Sequence, residues 1–586
     1  MSFLTSVMLP SSAAPHAMFW ASTGRCSCRP ATGANRSCAL SRSRPRKRAS
    51  PTRCATGARF PLMRPGRRET KDHAMTTAPP TLPVPIETEP ADQAPAHRRR
   101  LLPLSPAHRR ISEGVLAALV FLWGAYLSLW NLGAANENVD ERAYIDAGWA
   151  YLHGDMTLNL EHPPTAKYLY GIAQLIGGQG LLSGRVLAGL CVLGTGIILW
   201  AWLRRELGGT LALIPTLLWF GLPRGNDDTI VRLDRFALLE PVMVLFLVAA
   251  AAAAWQWYRH DRWWWIALSG VLMGAAVTSK VSAAIFLVAF LVLAFVRRPV
   301  WRILRDVAIF VAALGGTFVA LYSPVDMVAA ITYMLEMQSE HNTVGHMVAV
   351  AGEVTASPPW WSNLWYMLVG MGAPALVLVG VGSVAALVVG RPSRLVLFLG
   401  TGLAGLLAFH LVGSNVALSH YYTAWFWLMC ALAGIGVAAL LAPGNRDRVT
   451  GVGRGVGVVA LVLALGVSAG MTAYVANDRP RGAALVQEAL ALDPAIDGSI
   501  LVAAMPGHQY GPYWADLAVT SLDELAVRDV RAIVIGDDAR FQPDERITEF
   551  VDAHRAEIRI VQLDDAELII LDAPLRLTDG GETLAY

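Results

Sequence analysis

Charge is scarce in this sequence. Only 16% of its 586 residues are charged against 54% hydrophobic, with a mean hydropathy of +0.43. A soluble enzyme of that length is excluded, and many membrane spans are implied. Cysteine is scarce as well. Of the six, Cys26, Cys28, Cys38 and Cys54 fall in an N-terminal tail, while Cys191 and Cys430 fall in apolar runs. No disulfide framework and no zinc-ligand spacing results. The first 74 residues contain no acidic residue before Glu69 and no sustained apolar core, so they are not a secretory signal. Their basic run, SRSRPRKRAS, is Pro/Ser-rich and has no folded reading module around it, so nucleic acid is not an expected partner. No internal repeat is visible, which argues against a repeat-built transporter of lipid-linked sugars.

What is present is a long series of apolar runs. Spans are expected at 112–132, 184–203, 209–223, 237–257, 264–279, 281–296, 304–323, 364–390, 393–413, 420–442 and 453–475, about eleven in all. The loops that alternation places inside contain Arg204–Arg205, Tyr258–Arg262, Arg297–Arg305, Arg391–Arg394 and Asn445–Arg448, and each is basic. The cluster HRRRLLPLSPAHRR before the first span fixes the N-terminus in the cytoplasm. Residues 1–74 read either as a disordered basic tail or as a mis-assigned start before Met75, and 75–111 as a cytoplasmic Pro-rich, basic linker. Residues 112–476 form the membrane domain, with 133–183 as its first outer loop. Within that loop, 165–180 reads as a helix lying on the outer face. Residues 477–586 alternate short apolar runs with helical patterns, as a small α/β domain outside the membrane would.

The informative polar stretch is NVDERAYIDAGWAYLHGDMTLNLEHPPTAKYLY, from Asn138 to Tyr170. The adjacent carboxylates Asp140 and Glu141 repel each other and are costly near low dielectric. With the turn at His162-Pro163-Pro164 and Lys167 they mark a reaction site. Arg185, Arg232, Asp234, Arg235, Glu240 and Lys280 are charges on the side that the inside bias leaves poor in them. Such residues are functional candidates, with local ion pairing as the competing explanation. Several outward cations near an acidic pair suit an anionic ligand. Two adjacent carboxylates rarely complete an octahedral ligand set, so no metal and no cofactor is expected.

These residues, in order, resemble one family. Asp140-Glu141, Tyr144, Gly148, Tyr151, Glu161-His162-Pro163-Pro164 and Lys167 resemble the first outer loop of the dolichyl-phosphate-mannose-protein mannosyltransferases. That family is glycosyltransferase family 39, with the C-type glycosyltransferase fold. Ser183-Gly184-Arg185, Arg235 to Pro241, Ser279-Lys280, and Gly345-His346 with Gly352 and Trp360-Trp361 are similar to later blocks. The departures are Glu161 and Glu240, where Asp is usual, the lack of a β-trefoil insertion, and the C-terminal domain.

The resemblance implies a mainly α, polytopic membrane glycosyltransferase of a bacterial plasma membrane, its site and C-terminal domain facing outward. It would move a sugar, mannose, from a polyprenyl-phosphate donor to Ser/Thr of exported proteins, with inversion. A lipid or cell-wall glycan is the alternative acceptor. Asp140 is the implied base, and Glu141 orients the acceptor or holds a cation. Arg185, Arg235 and Lys280 stabilise the leaving phosphate. His162, Lys167, Glu240 and His346 contact substrate. His420 and Tyr421 are candidates to line the groove of the carrier.

Overall fold

Helices dominate because a chain this apolar has few other ways to satisfy its backbone hydrogen bonds inside a bilayer. The computed structural model describes residues 106–586, apart from 136–137, 227–231, 295–297, 391–392, 446–448, 480–481, 493–497, 506, 508–509, 511–513, 538–540 and 564–565. The tail 1–74, the linker up to 105 and the four tail cysteines lie outside the described residues.

Eight described helices are long and apolar enough to cross a membrane. They are α1 (Pro106–Leu129), α4 (Leu181–Leu207), α6 (Leu239–His260), α9 (Val300–Tyr322), α11 (Ser362–Val388), α12 (Arg394–Ala408, continuing to Gly413), α13 (Thr423–Leu441) and α14 (Gly451–Asn477). Three of the expected spans are shorter. They are α5 (Leu213–Gly221), α7 (Trp263–Val277), and a 3-10 stretch, Val281–Phe286, running into α8 (Leu287–Ala294). The 9 residues of α5 extend only about 13 Å, less than half a hydrocarbon core. The first helix also begins at Pro106, inside the expected linker, where proline suits an opening turn.

Helix α13 is buried along nearly its whole length and α6 along most of it, while α9 keeps most of its surface outside the bundle. A helix apolar on every side can be buried on every side. Small residues allow the close approaches. A Cβ on Gly436 of α13 would lie 1.8 Å from the carbonyl oxygen of Gly382 on α11, so those two backbones touch.

Between α1 and α4 run two shorter helices, α2 (Val139–Leu152) and α3 (Thr165–Gly177). Asn138 caps α2 in a reciprocal box, accepting from its first turn while Glu141 accepts from the Asn138 N–H at 3.0 Å. Helix α3 buries one face and exposes Ile172, Leu175 and Ile176 on the other. The two helices cross with glycine against glycine. A Cβ at Gly171 would sit 2.3 Å from the Gly148 carbonyl oxygen, and one at Gly148 2.5 Å from that of Lys167. Gly171→Ala is therefore expected to destabilise by about 1–3 kcal/mol through overpacking. A lowered melting temperature in detergent checks this, and an unchanged one would show that α3 can shift freely.

After α10 (Met327–Thr343) comes a small hairpin, β1 (Val348–Val350) with β2 (Glu353–Thr355). Beyond the last long helix, the C-terminal region has a five-stranded sheet in the order β4-β3-β5-β7-β6. The strands are β3 (Ser499–Ala503), β4 (Ala518–Val519), β5 (Val530–Gly536), β6 (Arg559–Gln562) and β7 (Ala566–Ile570). The period of two is plain in its packing. Ile500, Val502, Ala532, Val534, Leu568 and Ile570 join Ala483 and Val486 of α15 (Ala483–Leu492) in one core. Leu501, Ile533 and Ile569 join Ile547, Phe550 and Val551 of α16 (Glu545–His554) in another. A mostly helical membrane region followed by a small α/β region is the architecture that the sequence implies.

Candidate active site

Four helix ends bring one cluster together. Asp140 lies in the first turn of α2, Glu240 in the first turn of α6, Lys280 just after α7, and His420 just before α13. Both carboxylates stand at the positive end of a helix dipole, where negative charge is stabilised. His420 Nε2 lies 3.9 Å from Asp140 Oδ2 and 3.5 Å from Glu240 Oε1. Lys280 Nζ donates to Glu240 Oε1 and sits 4.4 Å from the centre of the Tyr421 ring. Glu240 is 3% exposed and His420 7%, whereas Asp140 is 32% exposed. Among the described residues the Asp140 carboxylate forms no hydrogen bond. A solvent-reachable carboxylate beside a buried imidazole, carboxylate and ammonium can accept a proton from a hydroxyl that approaches it.

Tyr144 and His162 close the cluster on the side of α2, with ring centroids 5.4 Å apart. Burial, together with the Lys280 and Lys167 cations, pushes the His162 imidazole down to about 3, so it is neutral. Burial also lowers His420, although Glu240 opposes the shift. For Lys280 burial acts downward, but the Glu240 carboxylate outweighs it and lifts the ammonium above its ordinary value. The cluster therefore carries one firmly held cation between neutral imidazoles.

The sign of the pH dependence follows. With a folded value near 3 against an ordinary 6.5, the unfolded chain takes up the His162 proton first as pH falls. The stability this histidine contributes is whole above about pH 6.5 and is lost progressively toward pH 3. His162→Gln is expected to flatten that acid limb, read as melting temperature against pH in detergent. An identical limb in the variant would assign it to His420 or other groups.

The neighbour of Asp140 has a different fate. Glu141 is fully buried and takes a bidentate pair from Arg185, Nε to Oε1 at 2.9 Å and Nη2 to Oε2 at 2.7 Å. It also accepts from the Ala237 N–H at 2.7 Å. Arg185 donates further to the carbonyls of Leu132 and Ala135 at 2.7 and 2.8 Å, and its guanidinium lies 4.5 Å from the Phe236 ring centre. Glu141 was expected to orient an acceptor or hold a cation, and Arg185 to hold a phosphate. The cation that Glu141 holds is Arg185, and the pair ties the start of α2 to α4 and to the segment before α6.

Lys167, expected to contact substrate, also has partners within the chain. Its ammonium donates to the carbonyls of Asn159 and of His162, the latter at 2.8 Å, and lies 5.0 Å from the Tyr151 ring centre. Burial lowers it to about 7, with Glu161 opposing. It holds the Asn159–His162 turn in place. Arg235 donates to the Trp130 carbonyl, and His346 lies against His341 with ring centroids 5.1 Å apart, so neither joins the Asp140 cluster through these contacts.

Two features escaped sequence reasoning. His420, expected along a groove, stands between the two carboxylates. A lone histidine before an apolar run gives no such signal. Arg224, Arg232 and Asp234 form a buried trio, with Arg224 Nη2 to Asp234 Oδ2 and Arg232 Nε to Asp234 Oδ1 both at 2.8 Å. Burial would raise the Asp234 carboxyl, but the two arginines hold it well below the usual range. Arg232 and Asp234 were legible as charges in costly places, and ion pairing, the competing explanation for them, is what the structure holds.

Residues 161–327 match the family described as dolichyl-phosphate-mannose-protein mannosyltransferase. The match covers less than a third of the chain, and the chain has the C-type glycosyltransferase fold. Among solved structures the chain is similar to ArnT from Cupriavidus metallidurans bound to undecaprenyl phosphate. There it is 14% identical with a TM-score of 0.50, covering 79% of this chain and 98% of that one. It is also similar to the Archaeoglobus fulgidus oligosaccharyltransferase in the apo form, at 13% identity and a TM-score of 0.48, over 74% and 70% of the two chains. The S. cerevisiae protein O-mannosyltransferase Pmt1-Pmt2 complex bound to the sugar donor matches at 20% identity and a TM-score of 0.31, over 38% and 34%. No curated protein sequence matches the chain. The chain is a multi-pass membrane glycosyltransferase.

Proposed function

We propose that this glycosyltransferase moves mannose from a polyprenyl-phosphate carrier to a Ser/Thr hydroxyl of exported proteins at the outer face of a bacterial plasma membrane. The observation that carries the reading is Asp140, part-exposed and unbonded, 3.9 Å from a histidine that also meets the Glu240–Lys280 pair. The hydroxyl proton passes to Asp140 as the oxygen attacks the anomeric carbon. The bond from that carbon to the phosphate oxygen breaks, and the phosphate leaves with the electron pair toward Lys280. A single displacement inverts the configuration. Mannose and the polyprenyl-phosphate donor follow the family matched over 161–327, in accord with the fold shared with ArnT, whose structure holds undecaprenyl phosphate.

Orientation rests on charge. Helix α6 begins at the cluster with Glu240 and ends with Arg259 and His260, so its basic end lies opposite the site. Residues 477–586 are assigned to acceptor recruitment outside the membrane.

The test is transfer from radiolabelled polyprenyl-phosphate mannose in membranes that contain the protein. Label on protein, absent from membranes lacking the chain, supports the reading. Label on lipid or glycan moves the acceptor, and no label on any acceptor refutes the donor assignment.

A further inference from the structure

We propose that a cavity of about 310 Å³ between the end of α12 and the start of α11 binds a neutral hexose ring through His410 and Asn363. The proposal rests on the reading of the chain as a sugar transferase and adds to it a place where the sugar is recognised.

Helix α12 does not end regularly. Its last residues, Phe409–Gly413, widen into a π-helical turn, a feature concentrated at functional sites. His410 sits on that turn, 4% exposed, and among the described residues neither of its ring nitrogens has a hydrogen-bond partner. Asn363, 2% exposed, donates from Nδ2 to the His410 carbonyl at 2.8 Å, yet its Oδ1 accepts nothing. Buried polar atoms are nearly always bonded, because leaving them unbonded forfeits their hydration without return. Three such atoms on two side chains lining one cavity fit a ligand that supplies both donors and acceptors. A neutral imidazole presents one of each, and the amide oxygen accepts.

The cavity wall narrows the chemistry. Trp360, Ser414 and Asn415 also line it, and among the described residues no Lys, Arg, Asp or Glu does. A phosphate would find no cation there. Trp360, 67% exposed, offers an aromatic face to the C–H surface of a sugar ring, while the neutral polar groups meet its hydroxyls. The place is also suitable. The His410 ring lies 5.2 Å from that of Tyr421, and Tyr421 in turn contacts Lys280 at 4.4 Å and His420 at 5.1 Å. One aromatic ring separates the cavity from the Asp140 cluster.

Full-length protein in lipid nanodiscs, probed by saturation-transfer NMR with the methyl glycosides of mannose, glucose and galactose, tests this. At least one glycoside is expected to give a signal, reduced at least fivefold in His410→Phe and in Asn363→Leu and not displaced by inorganic phosphate. If a core variant melts early, Trp360→Ala at the mouth takes its place with the same expectation. No signal from any glycoside, or equal signals in wild type and folded variants, overturns the proposal. Asp140→Asn is expected to keep the signal. A wild-type protein that binds the glycoside but shows no transfer activity would refute the proposed function and leave the cavity assignment standing. In the transfer assay, a raised KM for the carrier-linked sugar identifies the donor sugar as the occupant. A raised KM for the acceptor identifies a sugar already on the acceptor.

Discussion

Asp140→Asn is expected to lower sugar transfer by about 10²–10⁴-fold, the usual contribution of a positioned general base. The substitution keeps the size and shape of the side chain and removes its ability to take a proton. It should leave the melting temperature nearly unchanged, because Asp140 is 32% exposed and its carboxylate forms no hydrogen bond among the described residues. Carrier binding should also survive, since the nearest cation, Lys280, keeps its Glu240 partner. A large loss of kcat at constant stability identifies the base. Transfer within a few fold of wild type would remove Asp140 from the chemistry and leave His420 as the next proton acceptor in reach.

The adjacent residue predicts the opposite pattern. Glu141→Ala leaves the Arg185 guanidinium, 2% exposed, without its counter-charge and leaves the Ala237 N–H unpaired. Removing one partner of a buried ion pair costs about 3–5 kcal/mol, a large part of the stability of any domain. The variant should express poorly and melt far below wild type, with activity lost because α2 is no longer pinned to α4. Glu141→Gln, which retains an acceptor oxygen, should fall in between. If Glu141→Ala melted like wild type yet transferred no sugar, Glu141 would belong to the catalytic machinery after all. Two neighbouring carboxylates thus separate by readout, one through rate and the other through stability.

The pair shows where sequence reading stops. DE reads as two equivalent acids, and the physics that separates them is helical geometry. Asp140 and Glu141 project about 100° apart around α2. One consequently faces the gap beside His420, and the other turns inward to Arg185, 44 residues on. The same holds for the cations. Arg185, Lys167 and Arg235 were legible as charges in places where charge is costly, and that cost is real. The structure meets it with carboxylates and backbone carbonyls, leaving Lys280 as the predicted cation that borders the base.

Sequence alone determined the apolar membrane region, the run of basic loops and the α/β region after 477, and it singled out the polar stretch from Asn138 to Tyr170. Each depends on local quantities: apolar length, charge placement and the spacing of turn residues. The strands β3, β5, β6 and β7 were legible for the same reason, since a period of two is written into neighbouring residues. Only the tertiary structure decided which charges face one another. His420 meets Asp140 across 280 residues of chain, and Glu240 meets Lys280 across 40. Contacts of that kind depend on how helices cross, which is set by shape and by small residues such as Gly148, Gly171, Gly382 and Gly436. A sequence read in windows shorter than those separations holds no information about them.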